Sequence, residues 1–122
     1  MNADVKEKWL DALRRGEYSQ TRKTLRDENG FCCLGVLCDI IDPSGWGQVR
    51  TRHGEKTTHL TAINVPSEAI LAEAGIGEEE VVPGLESEDD EETCYVLTEL
   101  MNLNDREHKS FEEIADWIEE SL

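Results

Sequence analysis

Four cysteines and three histidines are the residues of this chain whose types invite chemistry. Cys32, Cys33 and Cys38 fall within the stretch NGFCCLGVLCDI, and the fourth is Cys94. Thiolate and imidazole are ligands of zinc and of softer metals, but structural zinc sites pair their cysteines in C-x₂₋₄-C knuckles within polar turns. Here two cysteines are adjacent, the third follows among Leu and Val, and His53, His59 and His108 show no ligand spacing, so the reading holds no metal and no cofactor. A nucleophile has a firmer physical basis. A helix beginning near Cys32 or Cys33 would direct unpaired backbone N–H groups at a thiolate and lower its pKa. No catalytic cysteine signature accompanies these residues and any of the three histidines would have to act as base, so a cysteine-dependent enzyme using Cys32 or Cys33 stands as the alternative. The preferred reading treats the cysteines as small, reduced core residues, because adjacent cysteines pair only with strain and Cys38 and Cys94 sit among apolar neighbours.

The second chemical candidate is positive charge. Arg14, Arg15, Arg22, Lys23, Arg26, Arg50 and Arg52 form the one local surplus of cations. If two hairpins flank the first helix, Arg22, Arg26, Arg50 and Arg52 converge on a site able to hold a small anion such as a nucleotide by bidentate guanidinium contacts. Internal neutralisation of the acidic second half is the preferred explanation of these cations, with the anion site as its sharper rival. The glycines match neither a P-loop nor a dinucleotide fingerprint.

Charge sets the background. The 122 residues carry a formal net charge of −16, split as +1 over residues 1–62 and −17 over residues 63–122. The densest run, Glu86 to Glu92, holds six carboxylates in seven residues. Such a surface repels the nucleic acid backbone, so no direct nucleic-acid binding is expected. Mimicry of nucleic acid toward a basic partner remains a further alternative, and a plain solvated loop is the simpler one. Asp39 and Asp42 interrupt the apolar stretch and read as an exposed edge and a turn cap.

The elements that must position these residues follow from spacing. Asp4 with Glu7 has capping-box spacing, and Val5, Trp9, Ala12 and Leu13 repeat with helical period, giving a helix over about 5–15 stopped by Gly16. Residues 17–32 read as a short hairpin closed by an Asn29-Gly30 turn. CCLGVLCDII is apolar on nearly every face, the mark of an element buried all round, and reads as a central helix over about 33–41. A second hairpin spans 46–62 around His53-Gly54-Glu55-Lys56. Pro66-Ser67-Glu68 opens a short helix that Gly75 stops, with Ile76 packing back. Residues 77–92 read as an acidic flexible loop. Helical spacing resumes from Cys94 to Met101, Asn102 to Asp105 reads as a cap and turn, and Ser110 with Glu113 opens a last helix running nearly to the C-terminus. The fold class expected is α+β: a small single domain over 1–122, with four to five short helices and one or two β-hairpins. No run is apolar enough to span a membrane and the N-terminus lacks a secretory pattern, so a cytoplasmic protein is expected.

The order KWLDALRRGEYSQTRKTLR, GFCCLGVLCDI, VPSEAILAEAGI and LTELMNLND…SFEEIADWIEESL resembles a family of small proteins, largely without assigned function, encoded by bacteriophages, archaeal viruses and integrated proviruses. The resemblance covers most of the chain and is most specific over Phe31–Asp39 and Leu103–Leu122. Trp46–Thr61 and the acidic segment lie outside it. It implies a viral or proviral accessory protein in the host cytoplasm, and Asn104 and Asp105 match the recurrent loop before the last helix, where they contact a ligand or shape the turn. The extreme acidity departs from the family and is similar to that of proteins from salt-loving organisms. The function expected is therefore non-catalytic: binding a host or viral protein partner, or a small anionic ligand, with Arg22, Arg26, Arg50, Arg52, Asn104 and Asp105 as candidate contacts.

Overall fold

The apolar decapeptide that carries three cysteines lies at the centre of the molecule, and the other elements are arranged around it. A computed structural model describes residues 1–76 and 96–122. In chain order the elements are α1 (Ala3–Arg14), β1 (Arg26–Asp27), β2 (Gly30–Phe31), α2 (Cys33–Ile41), β3 (Trp46–Thr51), β4 (Gly54–His59), α3 (Glu68–Ala74), α4 (Val96–Met101), a π-helical turn (Asn102–Arg106) and α5 (Phe111–Ser121). Five α-helices and two antiparallel hairpins among the described residues make the fold α+β, as expected. The expected acidic loop over 77–92, and Cys94 with it, lie outside the described residues.

α2 is buried from Cys33 to Cys38, which a helix can sustain only if it is apolar all round. α1, α3 and α4 pack on it, and α5 packs on α1. Trp9 of α1 is fully buried and its indole Nε1 donates to the Cys33 carbonyl at 2.9 Å, so the largest core side chain has its one polar atom satisfied. α5 presents Phe111, Ile114, Ala115 and Ile118 at helical spacing, and the Ser110–Glu113 capping box closes both ways at its start. Gly75 ends α3, and the Ile76 amide reaches back to the Leu71 carbonyl at 2.9 Å.

Four local expectations are corrected. α1 begins at Ala3 rather than Val5, because Asn2 is the cap: its Oδ1 accepts from the amides of Asp4 and Val5 at 2.9 and 3.3 Å, leaving Asp4 inside the first turn. The first hairpin turns on Glu28-Asn29, with Asp27 paired to Gly30. The Asp27 carboxylate caps that turn by accepting from the Asn29 and Gly30 amides, and Gly30, at φ +150°, sits where the Ser19 carbonyl would collide with a Cβ. The second hairpin turns on Arg52-His53, with Thr51 opposite Gly54. Asn102–Asp105 is not a simple cap and turn. The Glu107 amide bonds the Asn102 carbonyl at 2.9 Å, so the chain continues α4 as one wide π-helical turn.

Candidate anion-binding groove

Beside the core, β1 packs against β4, so the two hairpins adjoin each other rather than flanking the first helix. An open groove of about 810 Å³ runs between them. One wall is the chain from Arg22 to Glu28 and the other comprises Trp46 to Gln48 and Glu55 to Thr57. Four cations line it: Arg22, Lys23, Arg26 and Lys56. The structure thus brings together two of the four expected arginines, Arg22 and Arg26. Arg50 and Arg52 do not line the groove: Arg50 is 84% exposed on β3 beside Glu55 at 3.8 Å, and Arg52 is in the exposed turn. They are displaced because the β3–β4 ribbon projects beyond the core, carrying its far end away from β1.

Arg14 and Arg15 neutralise acidic neighbours. Arg14 bonds Asp116 and Glu119 at 2.9 and 2.8 Å, and Arg15 pairs with Asp11 and Glu17. Among the described residues none of the four groove cations enters an ion pair, and the buried Arg22 Nε has no hydrogen-bond partner. Acidic residues are present too. Asp27, Glu28 and Glu55 also line the groove, and of these Asp27 is committed to Thr21 Oγ1 at 2.8 Å and to the turn amides.

The groove walls are held from behind. Lys23 adopts φ +68°, a left-handed conformation that a side-chain-bearing residue takes only under constraint. The constraint is visible: the Lys23 amide donates to Asp105 Oδ1 at 2.9 Å, Asn104 Nδ2 donates to the Thr21 carbonyl at 2.9 Å, and the Leu25 amide donates to the Ile63 carbonyl at 2.9 Å. Arg26 is fixed differently. Its guanidinium lies 4.6 Å from the Phe31 ring centroid and 5.2 Å from that of Trp46. Those rings belong to an edge-to-face row, Tyr18, Phe31, Trp46 and His59. Asp39 anchors the row by accepting from Tyr18 Oη at 2.6 Å and Trp46 Nε1 at 2.9 Å. Asp39 is therefore half-buried and structural, not an exposed edge, whereas Asp42 caps its turn through the Ser44 amide and hydroxyl as expected. Burial, and then the Asp39 carboxylate, push the Tyr18 phenol up to about 12.

Across the whole length of the chain, residues 1–122 match a domain of unknown function, DUF8296. The chain belongs to that family. Neither the curated proteins nor the solved structures contain a match. The DUF8296 chain has a second concavity, a recess of about 220 Å³ at the N-terminal end of α2, where Cys32, Cys33, Asn104 and Asp105 meet. It shares Lys23 and Thr24 with the groove.

Asn104 is fully buried and satisfied: its Oδ1 accepts from Gln20 Nε2 at 2.8 Å and from the Cys33 amide at 3.4 Å. It ties the π-helical turn, the loop at 20–24 and the start of α2 into one unit, so of the two roles expected for it the structural one is observed. Cys32, Cys33 and Cys38 are buried. Cys32 Sγ accepts from the Gly35 amide at 3.3 Å, capping α2, and Cys33 Sγ donates to the Leu100 carbonyl at 3.7 Å. Burial outweighs the helix amides, holding the Cys32 thiol up at about 11, Cys38 at about 12 and Cys33 well above its ordinary 9.0. Among the described residues no histidine bonds a thiol. His59 is buried against Trp46, with Nε2 on the Asp42 carbonyl at 2.7 Å. Nor is there, among these residues, a group of three or more His, Cys, Asp or Glu side chains placed to hold a metal ion, or a helix long and apolar enough to cross a membrane.

The thiols carry a pH consequence. In the unfolded chain they ionise near pH 9.0, while in the fold they stay protonated until about 11 to 12. Above pH 9 the native state therefore binds more protons than the unfolded state. Stability present below that pH falls as pH rises, by about 1.4 kcal/mol per pH unit for each such thiol. Urea unfolding at pH 8 and pH 10.5 should show a clear loss at the higher pH; equal midpoints would contradict the buried assignment.

Proposed function

We propose that this protein is a non-catalytic binding module that holds a small phosphate-bearing anion, such as a nucleotide, in the groove between its hairpins. The observation that carries this reading is the convergence of Arg22, Lys23, Arg26 and Lys56 on one groove of a chain whose net charge is −16. Magnitudes favour a small ligand. At physiological salt the Debye length is about 8 Å, so a compact anion seated in the groove feels chiefly the charges that line it, where four cations exceed three carboxylates. A long polyanion extends beyond that distance and meets the acidic remainder of the surface. Arg22 and Arg26 offer planar forks suited to phosphate oxygens, and Arg26 is already held by two rings, so little side-chain freedom is lost on binding. The orphaned Arg22 Nε is a donor whose burial costs about 1–3 kcal/mol until something accepts from it.

The setting of this activity, as an accessory protein of a virus or provirus acting in the host cytoplasm, is supported by the sequence resemblance over Phe31–Asp39 and Leu103–Leu122 alone. A protein partner in the same role would meet the same basic surface.

Titration with pyrophosphate tests the reading. The wild-type protein should bind it, Arg22→Ala and Lys56→Ala should each weaken binding by about tenfold, the scale of a lost charged hydrogen bond, and Arg50→Ala should leave it unchanged. No binding by the wild type, or equal loss in Arg50→Ala, would refute the groove.

A further inference from the structure

We infer that the recess at the start of α2 is the second half of the same site and takes the uncharged ring of a nucleotide whose base carries an exposed N–H donor. The inference rests on the groove reading above and specifies its ligand. Lys23 and Thr24 form the partition: each lines both the groove and the recess, so a molecule with a phosphate in the first has its other end beside the second. The two concavities differ in character. The groove is lined by charged groups, four cations and three carboxylates, whereas Cys32, Leu34 and Met101 give the recess apolar walls, and neutral thiols belong to that wall. About 220 Å³ has room for a ring system and not for a whole nucleotide.

Two polar groups at the recess give it selectivity. Asp105 Oδ1 already accepts from the Lys23 amide at 2.9 Å and from Asn104 Nδ2 at 2.8 Å, and Oδ2 has no protein donor among the described residues. Asn64 lines the recess from an exposed position, presenting an amide that both donates and accepts. A carboxylate oxygen accepts only, so Asp105 favours a base with an amino or imino N–H, as guanine has, over a bare carbonyl edge.

Isothermal titration with pyrophosphate and with GDP tests this. GDP should bind at least about tenfold more tightly than pyrophosphate, the increment expected for a hydrogen bond to a charged group plus ring burial. Asp105→Asn keeps the Oδ1 acceptor for Lys23 but turns the second atom into a donor. Asn64→Ala, which touches the recess and not the groove, should bring GDP affinity down toward that of pyrophosphate while pyrophosphate binding is retained, and Asp105→Asn should lower GDP affinity in the same direction. Equal affinities for GDP and pyrophosphate in the wild type would overturn the recess assignment and leave the groove standing. Binding of neither would remove the groove reading, and this inference with it. Unchanged GDP affinity in Asn64→Ala and Asp105→Asn, with GDP still preferred over pyrophosphate, would show that these recess groups do not read the base, against the inference.

Discussion

Gly35→Ala should destabilise the protein by about 3 kcal/mol or more, although the same change in an open helix stabilises by about 1 kcal/mol. Gly35 lies in the interior of α2, and a Cβ there would run into the Leu25 carbonyl group, with its carbon only 2.8 Å away. Neither partner can yield cheaply. Leu25 is fully buried, its amide bonds the Ile63 carbonyl, and its carbonyl accepts from the Cys32 amide at 3.1 Å. Relief requires moving the backbone between Arg22 and Arg26, which is the groove wall. Urea unfolding of the variant measures the effect. A neutral or stabilising outcome would mean that α2 and the groove loop are not in contact as described.

Asn104→Ala should cost a similar amount, about 3 kcal/mol, for a different reason. Truncation leaves Gln20 Nε2, the Thr21 carbonyl and the Cys33 amide each short of a partner where the Asn104 side chain is buried. Each such group costs about 1–3 kcal/mol when left unsatisfied, and Gln20 retains one bond, to the Lys109 carbonyl. Asn104→Asp should be only partly better. It keeps an acceptor for Gln20 and Cys33 but loses the donor to Thr21 and sets a second carboxylate beside Asp105. Equilibrium unfolding ranks the three proteins, wild type above Asn104→Asp above Asn104→Ala. Little change in the alanine variant would contradict the role of Asn104 as the tie between loop, π-helical turn and α2.

What could be read from the sequence was local. α2 was legible to its boundaries, 33–41, because a helix buried on every side leaves an uninterrupted apolar run closed by Asp42-Pro43. The capping box at Ser110 and the stop at Gly75 were legible because their hydrogen bonds close within a few residues. The misplaced features share one property: two local solutions compete and tertiary contact chooses. Asn2 and Asp4 are both good caps, and the Asn2 backbone is fixed by its amide bonding the Ala74 carbonyl at 2.7 Å. Asp27 selects Glu28-Asn29 over Asn29-Gly30 as the turn. Nothing near Asp39 in sequence announces that Tyr18, twenty-one residues earlier, will donate to it.

The site was legible only in part for the same reason. Arg22 and Arg26 share one short loop, so their sequence spacing suffices to group them. The place of Lys56 depends on the β3–β4 register and on β4 meeting β1, and distance along a projecting ribbon, which separates Arg50 and Arg52 from the groove, is not encoded in composition. The recess joins Cys33 to Asn104, seventy-one residues apart, so no window on the sequence contains it. Cys32 does cap α2, so the helix amides reach its sulfur as the spacing implies. Desolvation is the larger influence and acts in the opposite direction.

The central claim, that the groove between the hairpins is an anion site, is tested most directly by following backbone amide resonances while pyrophosphate is added at physiological salt. Shifts confined to Arg22–Glu28, Trp46–Gln48 and Glu55–Thr57, saturating together and absent in Arg22→Ala, are the result this account predicts. Shifts centred on the α1–α5 face, or none at millimolar pyrophosphate, would contradict it.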